Sequence, residues 1–134
     1  MRGRRQQGTS TVEMAVVLPL LLMLVFAIGE FGVAFTRWQS LTNATREGAR
    51  VGVVFRVPCN AGTVTTQIRN TISTFAATSG LTSGITATVT GVCAGAGTPL
   101  TVATSAPYAF GLLPGLAGLA SSINLNASTT MRNE

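Results

Sequence analysis

The sequence predicts an α+β protein: a long N-terminal transmembrane helix continuing into a small outer domain, where an amphipathic helix lies on a three-stranded antiparallel sheet. Three observations carry this expectation. Between Glu13 and Glu30 no residue is charged, and at about 1.5 Å of rise per residue that interval covers roughly 24 Å of a hydrocarbon core about 30 Å thick. Val64, Ile68, Ile72, Phe75 and Ala76 fall at i, i+4, i+8, i+11 and i+12, the apolar stripe of a second helix. Beyond Gly84 apolar residues alternate with polar ones in three separate stretches, the period of half-buried strands.

The first helix takes in Val12 before the charge-free interval and Gly29 to Phe35 after it, which brings the run to spanning length. Pro19 lies inside, as membrane helices tolerate. Arg2, Arg4 and Arg5 stand before the run with no acid among them, so the positive-inside rule places the N-terminus in the cytoplasm and the rest outside. The expected layout is a leader at 1–8, a transmembrane helix at 9–36 and an extracytoplasmic domain at 37–134, held by a single pass through the inner membrane. Glu13 is the odd residue, since a carboxylate costs about 2.5 to 3.5 kcal/mol at mid-bilayer and less near the interface. A glycine directly after a short basic leader, followed five residues later by glutamate, is the pattern a prepilin peptidase reads. Cleavage after Gly8 leaves Thr9 as the new amino terminus, and Glu13 can then meet the free ammonium of a neighbouring subunit. A secretory signal peptide would need an A-x-A-like site behind the core, which is absent; a plain signal anchor would leave Gly8 and Glu13 incidental.

Past the membrane the helix continues. Leu41, Ala44, Gly48 and Gly52 recur at three- and four-residue spacing, and the small ones form a ridge that another backbone can approach closely. Trp38 with Arg37 reads as an interfacial anchor. Arg46, Glu47 and Arg50 sit on or beside the opposite side, with Glu47 and Arg50 an i,i+3 pair; the cluster is either a solvated face or a subunit contact. Glu30 reads as a snorkelling carboxylate or a docking point for a second subunit, and its 17-residue separation from Glu13, about 25 Å along a helix, excludes a catalytic pair. Val57-Pro58 should end this helix, and Gly80 should stop the second.

The strands follow as Ile85 to Gly91, Leu100 to Ala103 and Ile123 to Ala127, with Ala94-Gly95-Ala96-Gly97 closing a hairpin between the first two. That glycine-rich link lacks the rest of a phosphate-loop motif. Between Tyr108 and Ser122, the apolar set Phe110, Leu112, Leu113, Leu116 and Leu119 reads as a short helix closing the core, in preference to a flap for a partner.

Composition narrows the function. Three of the nine basic residues lie in the leader, so a cleaved chain carries little net charge and no nucleic-acid-binding footprint. Cys59 and Cys93 are an even pair on the outer side, expected as a disulfide, with two buried thiols as the other reading. With no histidine, lysine or aspartate in the chain, neither a metal site, a cofactor nor a catalytic residue is expected.

The run from Gly8 to Phe35, with Glu13, Val17-Leu18-Pro19 and Glu30-Phe31-Gly32, followed by Arg46-Glu47-Gly48-Ala49-Arg50 and the ending Met131-Arg132-Asn133-Glu134, resembles the TadE-like family of pseudopilins. Met14 and Thr45 depart from the family pattern, which favours an aromatic and an alanine there. The resemblance implies a pilin-like fold and a minor pseudopilin of a tight adherence, Flp-type pilus. Its implied partners are the prepilin peptidase, sibling pilin-like subunits, the pilus assembly platform and the lipid bilayer, and its implied assembly residues are Glu13, Glu30, Arg46, Glu47 and Arg50. The alternative is an anchored extracytoplasmic adhesin or ligand-binding module that does not polymerise.

Overall fold

The computed structural model describes residues 3–54, 56–111 and 121–134, with backbone alone for 3–9. Helix α1 runs Gly3–Val53, helix α2 Ala61–Ala77, and strands β1 (Thr86–Thr90), β2 (Pro99–Ala109) and β3 (Ser122–Arg132) follow in order. The chain forms two compact units, one of Met1–Val33 with Phe110–Ser121 and one of Ala34–Ala109 with Ser122–Glu134. In the first, α1 presents large apolar side chains to its surroundings all round, among them Val16, Leu20, Leu24, Ile28 and Phe31. A helix apolar on every side has nothing in water to bury against.

The second unit is the α+β domain. Its part of α1 buries Leu41, Ala44, Thr45, Gly48, Ala49 and Gly52 along one side, the stripe that three- and four-residue spacing puts on a single face. The small-residue ridge receives α2 of the same chain. A Cβ on Gly48 would stand 2.6 Å from Ile72 Cγ1, and one on Gly52 would stand 2.7 Å from Ile68 Cδ1 and 3.0 Å from Leu100 Cδ2. Helix α2 turns in Val64, Ile68, Ile72 and Ala76. Phe75, expected in that stripe, is 48 % exposed, because the narrow contact over two glycines is filled by Ile72 and Ile68, one and two turns before it. Asn60 caps the start of α2, its side chain accepting from the Thr63 amide at 3.1 Å. At the end, Leu81 N–H bonds Ala76 C=O and Gly80 N–H bonds Ala77 C=O, with Gly80 at φ +80° and Leu81 buried; this is the glycine stop in its Schellman form.

Helix α1 ends at Val53, four residues before the expected stop at Val57. Its last carbonyls are taken by tertiary partners: Arg56 Nη2 donates to Val51 O at 3.2 Å, and Glu134 N–H to Val53 O at 3.1 Å. Those bonds satisfy groups that another helical turn would otherwise use.

The sheet has order β1-β2-β3, antiparallel throughout. Strand β2 runs six residues past the expected Ala103, because its inward alternation Leu100, Val102, Thr104, Ala106, Tyr108 is unbroken. Tyr108 is therefore a buried strand residue and not the start of a loop. Pro107 sits in this central strand two positions beyond Ser105, the last residue facing β1, so its missing N–H breaks no rung on that side. Strand β3 likewise extends past Ala127 to Arg132, and Asn133 continues the contact with bonds to Gly97 and Thr98. The expected segment of Leu112, Leu113, Leu116 and Leu119 lies outside the described residues.

Candidate anchoring and assembly site

Gly8 and Thr9 lie within α1, whose backbone runs unbroken through the junction. Glu13 follows on the same helix and is exposed, among neighbours Val12, Met14 and Val16 that are exposed as well. Helical spacing keeps it about 25 Å from Glu30. Glu30 is half-buried, and within its own unit its Oε1 stands 3.3 Å from where a Cβ on Gly111 would be. The backbone at Gly111 thus passes beside the carboxylate, a neighbour that sequence spacing could not supply.

Arg46 and Arg50 are exposed and Glu47 is half-buried. The expected Glu47–Arg50 pair is absent: among the described residues no ion pair joins them. The same short motif has two faces. Gly48 and Ala49 are buried and admit α2, while the charged residues between and beside them stay outside. Thr45, the departure from the family alanine, is fully buried. Its Oγ1 lies 2.7 Å from Leu41 O and 2.6 Å from Thr104 Oγ1, and Thr104 Oγ1 lies 3.4 Å from Ala127 O. Two hydroxyl protons serve three contacts, so this buried chain joins α1 to β2 and, in one of its two arrangements, to β3.

Trp38, read from sequence as an interfacial anchor, sends its indole N–H to Asn126 O at 2.9 Å. It caps an otherwise unpaired carbonyl on the free edge of β3, and Arg69 does the same for Ala87 O on the edge of β1 at 3.3 Å. Arg37 lies over the Tyr108 ring, Cζ 5.1 Å from its centroid. Cys59 and Cys93 are bonded, with Cα atoms 5.9 Å apart, which ties the loop after α1 to the β1–β2 turn. A depression of about 200 Å³ beside this bond is lined in part by Gly52, Arg56 and Asn133. Among the described residues no group of histidine, cysteine, aspartate or glutamate is arranged to hold a metal ion.

One helix long and apolar enough to cross a membrane, found at Ser10–Val53 among the described residues, merges into the core of an α+β domain. By length and composition that helix suggests membrane anchoring. More particularly, residues 8–50 match the family model of TadE-like proteins. The match spans the junction, the apolar run and the Arg46–Arg50 motif, and residues 51–134 lie beyond it. No curated protein and no solved structure matches the chain.

Proposed function

We propose that this chain is a minor pseudopilin of a tight adherence, Flp-type pilus, held in the inner membrane with its N-terminus in the cytoplasm and its domain outside. Prepilin peptidase cuts after Gly8, Thr9 becomes the amino terminus, and Glu13 pairs with the ammonium of an adjacent subunit. The protein acts in pilus biogenesis or initiation through contacts with sibling subunits and the assembly platform, and has no catalytic role.

The observation that supports this reading best is the continuity of α1. One helix carries the Gly8 junction, the charge-poor apolar run and the Gly48–Gly52 ridge of the domain core, so a subunit recruited by its helix brings its domain with it. The exposed Arg46 and Arg50 offer a second contact surface just outside the apolar run. Intact mass of membrane-extracted protein tests the reading: a chain beginning at Thr9 supports it. A chain still beginning at Met1, in cells with a working pilus apparatus, leaves the anchored adhesin as the better description.

A further inference from the structure

Strand β1 pairs with β2 and leaves its other side open. In an antiparallel ladder a residue sends its N–H and C=O to the same side. Arg69 Nε reaches Ala87 O from outside the sheet at 3.3 Å, so Ala87 and, two positions on, Val89 turn their backbone groups away from β2. Ala87 N–H and both groups of Val89 meet no partner among the described residues. An open groove of about 430 Å³ is lined by the start of this edge and by α2. Buried Ile72 and half-buried Ile85 form its apolar part, and Arg69, Asn70 and Ser73 its polar side. The groove carries one charge, and it is positive: no acid lines it, and no residue from Asn70 to Met131 is charged. The two free edges of the sheet differ. On β3 the cover is the indole of Trp38, bonded to Asn126 O and packed against Phe35; on β1 it is a long, exposed arginine stem that can swing aside.

We infer that β1 accepts a further strand from a partner protein: an extended segment bearing a carboxylate, which adds to the sheet along Ala87 and Val89 and sets its acid on Arg69. Arg69 yields Ala87 O to an amide of the incoming strand and turns its guanidinium fork to the carboxylate. Apolar side chains two positions from that acid share its face and meet Ile85 and Ile72. A second copy of this chain is a poorer occupant, since β1 against β1 supplies no acid and brings two Arg69 side chains together. The surface lies wholly within the α+β unit and does not depend on cleavage after Gly8.

The test uses the full chain in detergent and a fluorescein-labelled probe peptide, Val-Thr-Glu-Thr-Val with blocked ends, whose valines and glutamate share one face. Fluorescence anisotropy is expected to show saturable binding that weakens about tenfold when the peptide's glutamate becomes glutamine. Methylating one alternating set of its backbone nitrogens should abolish binding, and methylating the other should not. Arg69→Glu should lose the glutamate peptide and take the matching lysine peptide in its place, a swap that a purely structural arginine would not produce. Hydrogen exchange locates the contact: the Ala87 and Val89 amides are expected to exchange freely in the protein alone and to slow about tenfold or more when peptide saturates it. Absence of binding, or binding indifferent to backbone methylation, overturns the strand addition. Protection of the two amides that rises with protein concentration alone assigns the edge to a second copy and overturns it as well. The emission of the single tryptophan, Trp38, reports folding of Arg69→Glu; should that variant unfold, the glutamine peptide makes the same charge test on the native chain.

Discussion

An alanine at position 48 would set its Cβ against Ile72 Cγ1, an atom fixed directly to the Ile72 Cβ, whereas at position 52 the nearest atom is the terminal Ile68 Cδ1. The first neighbour can yield only by moving α2; the second can yield by rotating a methyl group. Exchanging glycine for alanine inside a helix gains about 1 kcal/mol in propensity, against an overpacking cost of about 1 to 3 kcal/mol. Gly48→Ala is therefore expected to lower the thermal midpoint of the detergent-solubilised protein, and Gly52→Ala to lower it less or leave it unchanged. The opposite ranking would mean that the ridge does not face α2. The buried hydroxyls give a second test at this scale. Thr45→Val and Thr104→Val each remove one member of a buried chain, at about 1 kcal/mol. The double variant removes both polar groups together and should cost clearly less than the sum, a coupling that a double-mutant cycle reads directly.

At the scale of elements, the disulfide matters because the core is small. Leu41, Ile68, Ile72, Leu100 and Val102 are the largest fully buried aliphatic side chains among the described residues, and a core of that size leaves a narrow margin over chain entropy. Reduction of Cys59–Cys93 reopens a loop spanning 34 positions and should remove about 3 to 4 kcal/mol in the chain-entropy account. Unfolding monitored by circular dichroism, with and without reductant, is expected to show a midpoint lower by tens of degrees in the reduced protein. An unchanged midpoint would place the stabilisation elsewhere. The main elements were legible in the sequence because each depends on a short-range period: the apolar run, the four-residue spacing of Val64, Ile68 and Ile72, and the alternation around Val89, Val102 and Leu125. What was not legible depends on juxtaposition. Nothing near Trp38 in the chain names Asn126 as its acceptor, and Asn133 reaches Gly91 O across 42 positions. The early end of α1 belongs to the same kind, since Arg56 and Glu134 settle it from outside the helix. Glu47 and Arg50 show the converse: their spacing permits a pair that the fold does not form.

For the whole molecule, the decisive quantity is the cost of carrying Glu13 in an apolar helix. A carboxylate near a membrane interface is disfavoured by less than the roughly 2.5 to 3.5 kcal/mol of mid-bilayer, so the monomer can hold it, but every subunit that stays alone bears that cost. In the proposed assembly, pairing with the Thr9 ammonium of a neighbour would satisfy two charges at once, and in a medium of low dielectric that attraction would help set the register between helices. Glu13→Ala should therefore separate the steps. The junction at Gly8 remains, so processed protein is expected; the apolar run becomes longer, so membrane extraction should be unchanged. Co-purification with pilus components should be lost, because no carboxylate is left at the start of the apolar run to meet a companion's ammonium. Glu13→Gln keeps size and hydrogen bonding but not charge, and should show the same loss if the ion pair is what matters. Recovery of either variant with the pilus machinery at the native level would shift the recognition to the exposed Arg46 and Arg50 side of α1, where Arg50→Glu would then be the variant that abolishes it.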